Sequence, residues 1–310
     1  MLDVVALGEL LIDFAAKSKD PDGYPTMVAN PGGAPGNFLA ALNVYGKKTA
    51  FLGKVGADTF GHLLLGTLQK AGIETKGVIV DPDYFTTLAF VTFDRAGDRS
   101  FSFARKPGAD TQLRWEEVHK DLIDEARVFH FGTLSLTDEP ARSTTYRTVK
   151  YAKAHGKLIT FDPNLRKPLW RDLADAKEQM LWGLDHADVV KISDEEVEFL
   201  FDLGAQDGAQ YILDHFPVKL MFVTCGADGC WFQNRSANGH VDSLKNIKVV
   251  DTTGAGDIFG GSAVWKLLQT GKAPEDLSEA ELREIVSFAC KAAGLSTTMP
   301  GGISSVPELL

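Results

Sequence analysis

The sequence is poor in the features that mark secreted, membrane-spanning or nucleic-acid-binding chains. Its 310 residues hold three cysteines, Cys225, Cys230 and Cys290, with no C-x-x-C spacing and no histidine at ligand distance beside them. That excludes a disulfide framework or a zinc knuckle as the basis of the fold, and the thiols read as small buried apolar groups. An excess of positive charge is also missing: 32 Lys and Arg stand against 42 Asp and Glu, a net charge of -10. Nucleic acid and anionic membranes demand clustered cations, so neither is an expected partner, and an anionic ligand would need a local basic pocket. No apolar run reaches the roughly 18 residues of a membrane helix. The start, Met1 to Glu9, lacks the basic region and small-residue cleavage site of a signal peptide. The cytoplasm is the expected compartment. Two common phosphate loops are absent as well. There is no GxxxxGK[ST], and a GxGxxG register fails because Phe259 stands at the third glycine position.

With 44% hydrophobic and 24% charged residues, the chain has material for a large core. Short β-branched runs at Val4 to Leu7, Val128 to Phe131, Leu158 to Phe161, Val189 to Lys191 and Leu220 to Thr224 read as strands. Between them, Asn37 to Tyr45, Phe60 to Ala71, Pro140 to His155, Asp194 to Phe201 and Ile258 to Gln269 have helical spacing of apolar residues. This alternation predicts an α/β fold: a doubly wound parallel sheet flanked by helices, with its functional loops at the strand carboxyl ends. One stretch breaks the rhythm. Thr87 to Phe93, a turn at Asp94 to Asp98, and Ser100 to Ala104 read as a β-hairpin. With Leu10 to Phe14 and the loop Asp20 to Pro25 it could form a small sheet over the mouth of the main body. The expected organisation is one domain, 1–310, with a lid from about 10–30 and 86–110.

The most informative segment is Val249-Val250-Asp251-Thr252-Thr253-Gly254-Ala255-Gly256-Asp257, followed by a helical pattern. Amides at a helix N-terminus attract anions, and glycines let a phosphate approach the main chain. Asp257 is out of place beside such an anion unless it acts as a base; alone, it would read as an ordinary N-terminal acid. A second segment, Asn30-Pro31-Gly32-Gly33-Ala34-Pro35-Gly36-Asn37, opens another apolar helix. Its glycines expose amides to a polyhydroxylated ligand, and Asn37 offers both donor and acceptor. A bare turn with an Asn cap is the plain alternative.

Together these two segments resemble both signatures of the ribokinase-like (pfkB-type) carbohydrate kinases, in the right order and separation. The resemblance runs from Gly8-Glu9-Leu10-Leu11-Ile12-Asp13 to Gly301-Gly302-Ile303-Ser304-Ser305-Val306-Pro307. It implies a doubly wound α/β domain with a β-sheet lid and transfer of phosphate from ATP to a sugar hydroxyl. By position, Asp257 resembles the general base and the amides of Gly254, Ala255, Gly256 and Asp257 the anion hole. Asp13, Gly32, Gly33 and Asn37 resemble the sugar contacts. The turn Thr224-Cys225-Gly226-Ala227-Asp228-Gly229 resembles the nucleotide loop, where Thr224, Gly226 and Gly229 would serve ATP with Gly254 and Gly256. In Lys191-Ile192-Ser193-Asp194-Glu195-Glu196 the family usually has Asn-x-x-Glu; Ser193 replaces the Asn, while Glu196 keeps a place near Mg²⁺ through water. Ser262 stands where Ala or Gly is usual, and Cys290 where some relatives use Asn near the nucleotide. Many members use a monovalent cation such as K⁺, whose matching positions are Asp251, Thr253, Ser296, Met299, Gly301 and Ser305. The resemblance leaves open a homodimer formed through the lid.

Within the family the chain resembles fructokinases most. Ala34 follows the glycine pair where ribokinases have Lys, and Arg99 to Arg105 with Gly108-Ala109-Asp110, and Phe161 to Arg166, carry further matches. In the last of these, Asp162 and Asn164 fit the phosphate and metal region, and Arg166 could clamp phosphoryl oxygens with its planar donors. Phe101 and Phe103 share one strand face and could cover a sugar ring or pack the lid. Arg105 could meet a ligand hydroxyl, or a carboxylate if the substrate were 2-keto-3-deoxygluconate. That acid, ribose and aminoimidazole riboside are the alternative substrates. A kinase-like regulatory protein without catalysis is the alternative of a different class, against which stands the intact Asp257.

Overall fold

A computed structural model describes residues 1–93 and 99–309; for 92, 93 and 99–101 only the backbone is described. In chain order, strands and helices are β1 (Val4–Leu7), β2 (Leu11–Lys19), β3 (Pro25–Gly32), α1 (Ala34–Val44), β4 (Thr49–Gly56), α2 (Thr59–Lys70), β5 (Val78–Asp81), β6 (Leu88–Phe93) and β7 (Arg99–Ala104). The chain continues through α3 (Lys120–Glu125), β8 (Val128–Gly132), α4 (Ala141–Ala154), β9 (Leu158–Asp162), α5 (Leu173–His186), β10 (Val189–Ser193), α6 (Asp194–Phe201) and α7 (Ala205–His215). It closes with β11 (Leu220–Thr224), β12 (Cys230–Asn234), β13 (Asn238–Val241), α8 (Ala255–Thr270) and α9 (Glu279–Ser296).

The main sheet runs β13-β12-β11-β10-β9-β8-β1-β4-β5. Its strands are parallel from β11 to β5, and β12 and β13 add an antiparallel edge. Alternate residues of β1 explain why it stays buried on both faces. Val4 and Ala6 pack with Phe38, Leu39 and Trp265 of α1 and α8, while Val5 and Leu7 pack with Val149, Met180 and Leu184 of α4 and α5. Strands covered on both sides have no polar alternation, which is why Thr49–Gly56, buried at every position, gives no period-two signal. Its one cation, Lys54, is buried against Asp81 and Glu117 at 2.9 and 2.7 Å. Chain order reverses between β1 and β8, which places the ligand crevice of such a fold at the carboxyl ends of these strands.

A separate four-stranded sheet has the order β3-β2-β6-β7. The expected hairpin is present as β6 and β7, with its turn at Asp94 to Asp98 outside the described residues. Its partner from the N-terminal segment is longer than expected: β2 and β3 pair from Leu11↔Gly32 to Lys19↔Pro25. Pro25 and Pro31 fit because β3 is an edge strand, where a missing N–H costs no ladder bond. Asn30 to Gly32, expected as a turn, is therefore strand, and α1 begins at Ala34 rather than at Asn37. No helix among the described residues is long and apolar enough to cross a membrane.

Candidate active site

Helices α1 and α8 pack closely because Gly261 has no side chain: a Cβ there would lie 2.3 Å from the carbonyl oxygen of Phe38. Their first turns thus stand side by side, joining the two glycine-rich segments. Asn37 Nδ2 donates to Asp257 Oδ2 at 2.8 Å, across 220 residues of sequence. Gly254 sits at φ 76 before α8, with no side-chain cap. Among the described residues, the Ala255 N–H donates to the Thr252 carbonyl at 3.3 Å, whereas the Gly256 and Asp257 amides have no acceptor. Two donors on a helix N-terminus are thereby available to an anion.

Asp257 keeps part of its surface open to the site, yet the surrounding protein desolvates its carboxyl and pushes it above the ordinary range. Lys191, the Asn37 bond and Arg166 oppose that rise, while Glu196 adds to it. Lys191 lies beneath the same loop: a Cβ on Gly256 would come within 2.9 Å of its Nζ. The ammonium contacts Asp162 Oδ2 at 3.0 Å. Desolvation pulls Lys191 down, yet the carboxylates of Asp162, Glu196 and Asp257 outweigh it and the net shift is upward. Burial raises Asp162 to about 7 against the pull of Lys191. At 3.0 Å the contact is that of an ion pair, since separating either charge from the other in so buried a place would be costly.

The second sheet supplies Asp13. Its carboxylate makes no hydrogen bond among the described residues and lies beside Gly32, where a Cβ would fall 2.4 Å from Oδ2. Burial raises its carboxyl to about 6, while the charge of Arg166 lowers it and those of Asp251 and Asp257 raise it further. Asp13 pairs with Ala89 and Ala89 with Phe103, which puts Phe103 on the face that carries Asp13. Phe101 side-chain placement lies outside the described residues. Gly33, at φ 119, packs against the Glu9 carbonyl, and Glu9 Oε1 accepts the Ala34 N–H at 2.7 Å. Arg105 lies elsewhere than at a ligand surface. It is 5% exposed, with Nε and Nη2 on Asp110, Nη1 on Thr137 and Nη2 also on the Leu134 carbonyl.

Glu196 and Ser193 form a capping box at the start of α6: Glu196 Oε2 accepts the Ser193 N–H at 2.9 Å, and Ser193 Oγ accepts the Glu196 N–H at 3.2 Å. Glu196 Oε1 accepts the Leu165 N–H at 2.6 Å, anchoring the loop that carries Arg166. Arg166 itself is exposed. Thr224 ends β11, and the turn to β12 needs Gly226 at φ 52 and Gly229 at φ 101, where a Cβ would lie 2.1 Å from the Val241 carbonyl oxygen. It is a hairpin turn. Asp251 joins two loops, its Oδ1 accepting from the Thr253 N–H and hydroxyl and its Oδ2 from the Gly301 N–H at 3.0 Å. The hydroxyls of Ser296 and Ser305 donate to the Ala293 and Gly302 carbonyls, leaving their oxygens able to accept a cation. Met299 is 39% exposed beside them. Cys230 and Cys290 are core residues, as is Ser262.

Asn164, expected in the phosphate and metal region, reaches Asp257 Oδ1 at 3.5 Å, whereas Lys191 and Glu9 stand in recognised motifs without an individual role from sequence. Lys191 alone carried a usable signal, a cation in the strand Val-Val-Lys-Ile-Ser whose neighbours are all apolar up to the strand end.

The profile of the pfkB family carbohydrate kinases matches residues 1–309. Among curated relatives, a probable fructokinase-4 of Arabidopsis thaliana is 40% identical over 307 residues, covering 98% of this chain and 93% of the relative. Fructokinase from Xylella fastidiosa with bound ATP superimposes with a TM-score of 0.90 at 30% identity, over 99% of this chain and 96% of that one. A double-mutant fructokinase from Vibrio cholerae O395, in a fructose, ADP and potassium ion bound form, gives 0.86 at 29% identity, over 99% and 96% of the two chains.

Proposed function

Because this chain belongs to the pfkB family of carbohydrate kinases, we propose that its reaction is transfer of the γ-phosphate of ATP to a hydroxyl of D-fructose, with Asp257 as the general base. The chain is a sugar kinase that uses ATP; the sugar and the residue roles are the proposal. The observation that carries it is the first turn of α8, where a desolvated carboxylate open on one side and two amides without acceptors among the described residues occupy one site. A sugar hydroxyl is a poor nucleophile. In the proposed step its proton passes to Asp257, its oxygen bonds to the γ-phosphorus, and the bond from that phosphorus to the ADP oxygen breaks. The Gly256 and Asp257 amides, with Gly254 giving the turn its shape, receive charge on the transferring group, and exposed Arg166 closes over it. Asp13, Gly32, Gly33 and Phe103 hold the sugar. Arg105 takes no direct part in holding the sugar, its guanidinium being occupied by Asp110, Thr137 and the Leu134 carbonyl.

Thr224, Gly226 and Gly229 would carry the nucleotide. Mg²⁺ would arrive on its phosphates, and Glu196 fits a hold through water because each of its oxygens accepts only one backbone N–H. When bound, that ion supplies positive charge to the β- and γ-phosphates. The Asp251 carboxylate and the oxygens of Thr253, Ser296, Gly301 and Ser305 fit a monovalent cation such as K⁺, an ion named with the Vibrio relative. We assign the small sheet as the lid and as the surface for a homodimer.

The test is ADP release at millimolar fructose, ribose, glucose, 2-keto-3-deoxygluconate and aminoimidazole riboside in parallel. Fructose is expected to have a kcat/KM at least about tenfold above each other sugar, since one unpaired buried polar group costs about 1 to 3 kcal/mol. Another sugar ahead of fructose would remove that substrate and leave the kinase.

A further inference from the structure

The Asp257 carboxylate is approached by two neutral side-chain amides from separate parts of the fold. Asn37, in the first turn of α1, donates to Oδ2 at 2.8 Å, and Asn164, in the loop after β9, reaches Oδ1 at 3.5 Å. Neither amide has latitude to turn elsewhere. Asn37 is 3% exposed, and its carboxamide fills a slot between two glycines. A Cβ on Gly254 would stand 3.0 Å from Nδ2, and one on Gly302 would stand 2.2 Å from Oδ1. That Oδ1 is buried and, among the described residues, has no hydrogen-bond partner. Turning the amide over to satisfy it would set oxygen against oxygen at Asp257. The orientation with Nδ2 toward the carboxylate is thus the one the site supports, and it leaves an acceptor unsatisfied.

Asn164 shows a comparable local cost. It is a non-glycine residue at φ 47, 9% exposed, with its own N–H on Asp162 Oδ1 at 3.1 Å. Backbone strain of this kind persists where the surroundings impose it, and such positions cluster at functional sites. Its 3.5 Å approach is loose, as catalytic contacts often are before substrate arrives.

We infer that Asn37 and Asn164 are positioning residues that clamp the Asp257 carboxylate from both oxygens, so that the main service of Asn37 is to the base. The inference rests on Asp257 being the base. Its chemistry follows from the donors. A free Asp side chain rotates about its last bond, whereas a base must aim one lone pair at one hydroxyl. Amides can fix that plane without a full positive charge, and so preserve more basicity than a cation in the same contact would. Because Asn37 belongs to the helix opened by Gly32 and Gly33, its bond also makes the sugar-side loop and the base move together.

The test compares Asn37→Ala, Asn37→Ser and Asn164→Ala with wild type and with Asp257→Ala, by single-turnover phosphoryl transfer and steady-state kinetics across pH. We expect kcat to fall about tenfold to a hundredfold for the Asn37 variants and about threefold to tenfold for Asn164→Ala. Sugar KM should change less than about threefold. The acid limb of the kcat profile should move to higher pH, since a lost donor disfavours the ionised carboxylate. Lys191 on β10, Asp162 and Arg166 from β9 and its loop, Glu196 on α6 and Asp13 on β2 also face this carboxylate and remain in every asparagine variant. A moved limb therefore reports the missing amide and not general loosening. A tenfold or larger rise in sugar KM with kcat and acid limb unchanged overturns the clamp and returns Asn37 to the sugar. If Asn37→Ala does not fold, Asn37→Ser and Asn164→Ala carry the same comparison. Activity above half of wild type in Asp257→Ala sinks the base and the clamp together. An inactive Asp257→Ala beside asparagine variants altered only in KM sinks the clamp alone.

Discussion

Helices α6 and α8 both begin at the rim of the site, and both carry an acid three residues past the N-cap, yet they use it in opposite ways. At α6 the cap is Ser193, and Glu196 turns back to complete a capping box, so the helix end is satisfied from its own sequence. At α8 the cap is Gly254 in the left-handed region, no side chain caps the helix, and Asp257 is held by Asn37 and Asn164 from elsewhere in the fold. The first arrangement stabilises a helix. The second leaves amides for an anion and keeps a desolvated carboxylate within reach, at a cost in local stability. Helix α1 is intermediate: its cap, Gly33, is also bare, but Glu9 reaches the Ala34 N–H from the end of β1.

If this contrast is functional, removing charge at the two acids must have different consequences. Asp257→Asn should lower kcat by roughly 10² to 10⁴ while ATP binding stays near wild type, the range for loss of a general base. Equilibrium ATP binding and steady-state turnover on one preparation decide it; more than half the wild-type kcat would reject the role. The next largest effect belongs to the cation beneath α8. Lys191→Met leaves Asp162 buried without its partner and should cost about 3 to 5 kcal/mol in urea unfolding. The deficit should be larger at pH 8 than at pH 5.5. The folded-state pKa of Asp162 is already raised to about 7 and rises further without the lysine. Stability linked to a raised carboxyl is present at low pH and is lost as pH climbs through the folded value. An equal deficit at both pH values would mean that Asp162 is not carrying the charge.

Much of the fold is legible in the sequence. Val4 to Leu7, Leu220 to Thr224 and Asp194 to Phe201 were bounded as they stand, because turn residues and caps flank them closely. Thr49–Gly56 was not, since a strand buried on both faces has no alternation to read. The strand β3 hid behind Pro31 and two glycines, which mark a turn in most settings and an edge strand here. Within the site, residues in glycine-rich turns announced themselves. Lys191, Asn164 and Glu9 act across 25 or more residues of sequence, on partners that only the sheet brings near. Arg105 shows the converse, a charge in a suggestive motif that the fold turns inward onto Asp110.

A smaller effect tests the intermediate case, α1. Glu9 is buried, and desolvation raises its carboxyl to about 7 although the Ala34 bond opposes the shift. Its contribution to stability should be fully present below about pH 4.5 and decline as pH rises through about 7. Glu9→Gln keeps an acceptor for Ala34 and removes the charge, so it should flatten that decline and gain about 2 to 3 kcal/mol at pH 8 relative to pH 5. Urea unfolding of both proteins at the two pH values measures it. Parallel pH dependence in wild type and variant would show that Glu9 does not titrate on unfolding.

The smallest effect is expected at α6, where the acid serves its own helix. Glu196→Gln has one oxygen to offer where the carboxylate offered two, and its amide group must then face either the Ser193 or the Leu165 N–H. One buried donor loses its acceptor, which should cost about 1 to 3 kcal/mol of stability. The lost negative charge should also raise the Mg²⁺ concentration for half-maximal rate by a few-fold, if Glu196 holds that ion through water. The two readouts separate its duties. A fall in stability with an unchanged Mg²⁺ titration would make Glu196 a cap and an anchor for the Arg166 loop, and nothing more. A shifted titration would mean that even the self-satisfied helix end lends its charge to the phosphates. The contrast with α8 would then be one of degree, set by how many of the acid's lone pairs the helix itself consumes.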